Sequence, residues 1–396
     1  MPRSAPARAP ITSPAAATVF TTVLTQGPVS RVDVSRRTGL SSAAVTKAAR
    51  PFIDAGYLEE LASEGRTTPG AGRPANPLAI RPDREYFVGV KITGDDLIGV
   101  VTDLRADVRA TAHHALTGHD VGHVVQALAD LVGELLAGPT PDGTSNLRER
   151  AYCVGVAVSG DVDRASGIVR YSPFLGWRDV PLAELLDEAT GLATTLENDV
   201  KALTVAEQWF GEGVGASSFA LVTVGTGIGS ALVVDGALVR GAHGVAGEIG
   251  HVPVADGGPL CHCGGRGCVE AIASTEAILT RAREVSREPA LTMEDAVIRA
   301  RGGDEPLRGV FAGAGHAIGL GLAALVNLFG PERVVVSGEG VATYDLFEDQ
   351  IRRTFAVQAF GSAARCGLVI RPLPFEEWAR GAAAVAIQSL FVAESV

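Results

Sequence analysis

The sequence predicts an α/β chain in which an N-terminal winged helix-turn-helix precedes two α/β lobes of related topology, and three observations carry this. Residues 17–61 offer three short segments of helical spacing and then a strand, punctuated by glycine and serine. A series of strand-like runs begins at residue 86, and a comparable series begins again at residue 217. With 396 residues and 46% hydrophobic content, the chain has enough apolar material for two or three packed units.

Residues 1–14, rich in proline, alanine and serine, read as a flexible arm. The first helix is ATVFTTVLTQ, residues 17–26, ending at Gly27-Pro28. A second begins after Ser30 and runs to Gly39, and a third begins after Ser41 or Ser42, each with a hydroxyl available to cap the free amides. Gly39-Leu40-Ser41-Ser42 is a connection of helix-turn-helix length. Val32, Val34, Leu40, Val45, Ala49 and Ile53 are the expected core of this unit. The outward face of the third helix then presents Ser42, Ala43, Thr46, Lys47 and Arg50, small and basic side chains suited to a major groove.

Next, AGYLEEL reads as a turn and strand, and residues 77–81 return as a second strand, so the loop between them is a wing. It carries Arg66 and Gly72-Arg73-Pro74. An arginine in such an extended segment can enter a narrow, A·T-rich minor groove, where the negative potential is greatest. The charge distribution agrees with a double-stranded DNA partner. Residues 1–85 hold 11 Lys/Arg against 7 Asp/Glu, whereas the remainder holds 23 against 38, so only the N-terminal segment attracts phosphates. One winged helix makes few base contacts, and two copies reading an inverted repeat double them; a homodimer or homotetramer is expected.

From residue 86 the runs YFVGVKI, DLIGVVTDL and DVRATAHHAL read as strands, followed by a helix near 120–137 and a strand at AYCVGVAVSG. From 217, SSFALVTVGTG, SALVVDG and ALVRGA repeat the three-strand opening, with a helix over 310–329 and the strand RVVVSGEG in the same lobe. Two such openings predict two related lobes with a ligand cleft between them. No run reaches the roughly 18 uninterrupted apolar residues of a membrane span, and MPRSAPARAPITSP lacks a signal-peptide core, so the expected location is cytoplasmic with no membrane partner.

Three of the five cysteines crowd into residues 261–268, which fits a metal site in a reducing compartment. His251, Cys261, Cys263 and Cys268 supply one imidazole and three thiolates, a soft tetrahedral set that fits Zn2+. Four protein ligands leave no open position, so the zinc is expected to be structural. His262 is an alternative ligand.

The stretch Cys261-His262-Cys263-Gly264-Gly265-Arg266-Gly267-Cys268-Val269-Glu270 matches the pattern CxCGxxGCxE, and Gly247-Glu248-Ile249-Gly250-His251 stands just before it. On these residues the chain resembles the ROK family of sugar kinases and sugar-responsive repressors, over nearly its whole length. The resemblance implies a winged helix-turn-helix over 15–82 and, over 83–396, a two-lobed actin-like, ribonuclease H-like sugar kinase fold. Glu197-Asn198-Asp199 resembles the family's sugar-binding and catalytic segment, and Gly225-Thr226-Gly227-Ile228-Gly229 its second phosphate loop.

Carried over by position, the resemblance implies Asn198, Asp199, Glu248, His251 and Glu270 as contacts to a sugar or sugar phosphate, with Asp199 in the position of the kinases' catalytic base. Carboxylates and an amide match sugar hydroxyls, which both donate and accept. His251 can serve zinc through one ring nitrogen and a hydroxyl through the other.

The departures separate sensor from kinase. Where kinases of the family carry a pattern like GxDxGGTK, this chain has Gly89-Val90-Lys91-Ile92-Thr93-Gly94-Asp95-Asp96. Lys91 replaces the acidic residue that organises Mg-ATP, and Asp95 adds like-charge repulsion near the phosphates. Ser172-Pro173-Phe174 has phenylalanine where the family often has asparagine, which leaves the sugar open. The expectation is a repressor of carbohydrate-utilisation genes without phosphotransfer. The alternatives are an ATP-dependent hexose kinase carrying a DNA-binding module, and a repressor controlled by a protein partner.

Overall fold

The structure, a computed structural model, describes residues 9–62 and 76–391. The chain divides into two units, Met1–Val214 with Phe375–Val396, and Gly215–Pro374.

The first unit opens with α1 (Pro14–Gln26), α2 (Arg31–Thr38) and α3 (Ser42–Asp54). Ser13, Ser30 and Ser41 cap them, accepting from the N–H groups of Ala16, Asp33 and Ala44 at 3.2, 3.1 and 3.2 Å. α1 starts earlier than its apolar spacing predicts because Ser13 caps it and Pro14 suits a first turn, where no N–H is needed. Gly39, at φ 72°, ends α2 in the left-handed conformation that glycine adopts without strain. Strands β1 (Leu58–Glu60) and β2 (Leu78–Ile80) pair antiparallel, Leu58 opposite Ile80. Arg66 and Arg73 of the expected wing lie outside the described residues. Of the expected N-terminal arm, Ala9 is buried and Ile11 packs against the same apolar cluster.

Aromatic volume fills this helical unit more than the aliphatic residues singled out in the sequence. Phe20 stacks on Phe52 at 4.7 Å between ring centroids, and Tyr57 meets Phe20 edge-on at 5.9 Å. Val34, Val45 and Ala49 are buried as expected, Leu40 and Ile53 only half so, and Val32 is 63% exposed. Val32 sits in the first turn of a short helix whose single buried residue is Val34, so it faces away from the aromatic cluster.

The first lobe contributes β3 (Tyr86–Ile92), β4 (Asp96–Thr102), β5 (Val108–Ala115), α4 (Val121–Leu135), β6 (Ala151–Val158), β7 (Asp161–Asp163), β8 (Ile168–Ser172), β9 (Trp177–Val180), α5 (Leu182–Thr190), β10 (Ala193–Asn198) and α6 (Asp199–Phe210). Its main sheet runs β10-β6-β3-β4-β5, with β3, β4 and β5 antiparallel and β6 and β10 parallel to β3. The helix Glu376–Gln388 lies directly on this sheet. Gly89 and Gly155 make that approach possible, since a Cβ at either would collide with the carbonyl of Ala379 or Ala382.

The helical N-terminal region shares its core with this lobe. Phe391 packs on Phe20 at 5.6 Å and on Trp209 at 5.4 Å, and the buried Tyr57 hydroxyl donates to Glu85 Oε1 at 2.6 Å.

The second unit holds β11 (Phe219–Val224), β12 (Ile228–Val234), β13 (Ala237–Leu238), α7 (Val269–Ala273), α8 (Thr275–Ser286), α9 (Met293–Arg301), α10 (Glu305–Phe329), β14 (Arg333–Ser337), α11 (Glu348–Gln358) and β15 (Gly367–Ile370). Its sheet runs β13-β12-β11-β14-β15, three antiparallel strands followed by two parallel ones. In chain order this is the connectivity of the first lobe, as the repeated strand openings predict. α10 is long and apolar enough to cross a membrane by length and composition, but Phe311, Ile318, Leu322 and Val326 along it are buried in this unit's core.

Candidate functional site

In the first unit, the parallel strand β10 ends at Asn198 and α6 begins at Asp199, so both side chains sit at a helix N-terminus beyond a sheet edge. Asn198 caps α6, accepting from the Lys201 N–H at 3.2 Å, while its amide donates to the Gly160 carbonyl at 3.1 Å. Asp199 is buried. One of its carboxylate oxygens accepts from Lys91 Nζ and from the Ser159 hydroxyl, and the other from the Val200 N–H at 2.9 Å.

Lys91 is itself buried on β3, donates to Ser159 Oγ at 3.1 Å, and holds its ammonium 5.4 Å from the centroid of the Trp378 ring. Burial pushes the Asp199 carboxyl up, but the Lys91 ammonium and the Ser159 hydroxyl outweigh it, leaving the group below the ordinary carboxylate range. Asp95, by contrast, is an exposed residue of the β3–β4 turn, where Thr93 Oγ1 accepts from the N–H groups of Asp95 and Asp96 at 3.2 and 2.8 Å.

In the second unit, Glu248 is exposed and His251 closes the short 3-10 turn Ile249–His251. Gly250 is required there, because a Cβ would collide with the Ile228 carbonyl. Glu270, in the first turn of α7, uses both oxygens: Oε1 meets His262 Nδ1 at 3.0 Å, and Oε2 accepts from the Ile228 N–H at 2.9 Å. The sugar contacts implied by resemblance are thus divided, Asn198 and Asp199 in the first unit and Glu248, His251 and Glu270 in the second.

The ligand atoms of His251, Cys261, Cys263 and Cys268 all lie within 4.8 Å of one another. Cys263 and Cys268 sulfurs are 3.8 Å apart, and Cys261 Sγ is 3.5 Å from His251 Nδ1. A zinc with bonds of about 2.3 Å to sulfur places tetrahedral sulfurs about 3.8 Å apart, so the donor set and its spacing fit the ion. The loop is shaped for this: the Cys261 N–H donates to the Gly265 carbonyl at 2.8 Å, and Gly264 and Gly267 take φ of 89° and 68°. His262 faces Glu270, although His251, His262 and Glu270 form a second, overlapping group of ligand atoms.

On α3, Ser42, Ala43, Thr46, Lys47 and Arg50 are all exposed on one side, with Val45, Ala49 and Phe52 buried on the other. Arg50 is engaged within its own helix, its Nε 3.0 Å from Asp54 Oδ1. Asp54, Ser159, Trp378 and Glu339 join these residues only in the structure. Ser159 and Trp378 carry no local motif, and only folding sets them beside Lys91 and Asp199. Glu339 had a signal, standing between two glycines just after β14.

Comparison with known proteins places the chain. The ROK family model matches residues 87–389. The DNA-binding transcriptional dual regulator NagC of Escherichia coli (strain K12) is 28% identical over 331 residues, covering 82% of this chain and 80% of that relative. A solved ROK family transcriptional regulator, described as a homolog of the E. coli MLC protein, superposes with a TM-score of 0.79 at 26% identity, over 95% of this chain and 96% of that one. A ROK family glucokinase from Streptomyces griseus, solved with glucose and AMPPNP, gives 0.64 at 28% identity, over 76% of this chain and 98% of that one. The fold is an N-terminal winged helix-turn-helix followed by the two-lobed actin-like, ribonuclease H-like fold of the sugar kinases, and the chain belongs to the ROK family.

Proposed function

We propose that the protein is a sugar-responsive, DNA-binding transcriptional regulator, a repressor of carbohydrate-utilisation genes in which phosphotransfer has been lost. One observation carries the reading: the carboxylate in the catalytic-base position, Asp199, is held by the ammonium of Lys91. A base already paired with a buried cation cannot readily take a hydroxyl proton, and Lys91 stands where a metal-organising acid would be needed. The site keeps groups that bind sugar and lacks groups that activate it. The resemblance to NagC and to the solved regulator supports the DNA-binding half of the proposal.

In this reading residues 15–82 form the DNA-binding domain behind an arm at 1–14, and residues 83–396 form the sugar-binding domain, with a structural zinc on His251, Cys261, Cys263 and Cys268. The third helix reads operator DNA in the cytoplasm through Ser42, Ala43, Thr46, Lys47 and Arg50, with Arg66 and Arg73 from the wing. The protein acts as a homodimer or homotetramer on an inverted repeat. A sugar bound through Asn198, Asp199, Glu248, His251 and Glu270 shifts the population of lobe arrangements and releases the DNA.

The test is a selection of genomic fragments on the immobilised protein, eluted with a panel of sugars and sequenced. A few fragments sharing an inverted repeat, released by one sugar, are expected. Recovery of no discrete fragment overturns the reading. The retained Asp199 favours a second reading, a hexose kinase with an added DNA-binding module, and ADP release above background with any hexose would establish it.

A further inference from the structure

The segment Gly225–Gly229 makes the turn from β11 and the first residues of β12 and is rich in glycine, the composition that lets backbone N–H groups converge on an anion. Two of its amides are turned toward carboxylates of the same unit. The Thr226 N–H donates to Glu339 Oε1 at 2.6 Å, and the Ile228 N–H donates to Glu270 Oε2 at 2.9 Å. The Glu339 carboxylate lies close over Gly225, so a Cβ there would require the glutamate side chain to move.

Close backbone packing brings Glu339 to this place. Gly338 takes φ of 100°, and a Cβ on Gly340 would stand 2.8 Å from the Val224 carbonyl oxygen, so the turn after β14 lies flush against the end of β11. The side chain between those two glycines reaches the Thr226 amide of the neighbouring turn. A charge-assisted N–H to carboxylate bond is among the stronger hydrogen bonds, and the carboxylate brings a negative charge to the position a phosphate would take.

We propose that Glu339 is a built-in occupant of this anion-binding turn, which excludes nucleoside triphosphates from it and leaves the turn as a strut between Glu339 and Glu270. The turn then serves the sugar side of the site: Glu270 is held in place by the same turn that Glu339 fills. This inference rests on the reading of the chain as a non-phosphorylating regulator, and it explains exclusion of nucleotide at a position distant in sequence from Lys91.

The test uses the full-length protein and its Glu339→Ala and Glu339→Gln variants, titrated with a fluorescent ATP analogue and Mg2+, with displacement by unlabelled ATP and by inorganic tripolyphosphate. Thermal unfolding of each protein confirms that it is folded, and the isosteric glutamine variant serves if the alanine variant is not. The unaltered protein is expected to bind the analogue at least tenfold more weakly than Glu339→Ala, with Glu339→Gln between them. Displacement by tripolyphosphate as well as ATP would show that the turn, with its Thr226 amide released, holds phosphate. Equal binding by all three proteins, or no gain in either variant, overturns the inference. ADP release by the unaltered protein would overturn the regulator reading together with this inference, whereas equal binding without ADP release overturns the inference alone, so the two failures are distinguishable.

Discussion

Lys91 and Asp199, 108 positions apart in sequence, form a buried ion pair in the first unit, with Ser159 hydrogen-bonded to both. Removing one partner leaves the other charge buried without compensation, a loss of about 3–5 kcal/mol in such pairs. Lys91→Ala is therefore expected to lower the unfolding temperature by several degrees in scanning calorimetry, while Lys91→Met combined with Asp199→Leu recovers most of the loss. Equal destabilisation by the single and double variants would mean that the pair contributes shape and not charge.

The same pair sets an acid limb. Asp199 lies below the ordinary carboxylate range in the folded protein, so its contribution to stability is present above the unfolded pKa of about 4 and is lost as pH falls through the folded value. Denaturant midpoints measured between pH 7 and pH 3 should fall less steeply for Asp199→Asn than for the unaltered protein at the acid end. Parallel curves would remove Asp199 from the acid response.

Glu85 behaves oppositely. It is buried, and burial pushes its carboxyl above the ordinary range, against the lowering effects of the Tyr57 hydroxyl and Arg84. A raised folded pKa favours the protonated form, so this group costs stability as pH rises past the unfolded value. Glu85→Gln keeps an acceptor for Tyr57 and is expected to raise the unfolding temperature at pH 8, whereas Tyr57→Phe, which removes the donor, is expected to lower it through a loss of about 1–3 kcal/mol in stability. An unfolding temperature at pH 8 unchanged by Glu85→Gln would refute this account.

On α3, Lys47 is exposed and has no ion-pair partner among the described residues, whereas Arg50 is paired with Asp54. Lys47→Ala should weaken operator binding and reduce the slope of log affinity against log salt by about 0.9, the value for one phosphate contact. Asp54→Ala should strengthen binding, because it frees Arg50 and removes a negative charge from the helix proposed to read DNA. Fluorescence anisotropy at several salt concentrations measures both; weaker binding by Asp54→Ala would show that Asp54 positions Arg50 for the DNA.

Prolonged chelation, or Cys261→Ser, is expected to abolish binding of one zinc per chain and to lower the unfolding temperature, since structural zinc binding is coupled to folding. Metal analysis beside calorimetry checks it. A metal-free protein with an unchanged transition would mean that the cysteine loop holds its shape through its own hydrogen bonds.

Much of this molecule was legible in the sequence because local chemistry decided it. Ser30, Ser41 and Gly39 mark helix ends through capping and left-handed backbone, which need no distant partner. The two strand openings at 86 and 217 foretell two sheets of the same connectivity, and three cysteines within eight residues foretell a His/Cys group that could hold a metal ion. Packing decided the rest. Val32 and Phe52 are both apolar, and only the stacked rings of Phe20 and Phe52 determine which is buried. Lys91 read as the loss of an acid, but the burial of its charge against Asp199 appears only when β3 and α6 are brought together. Likewise Glu339 faces Thr226, 113 residues away in the chain, because β14 lies beside β11, a pairing that no short-range pattern encodes.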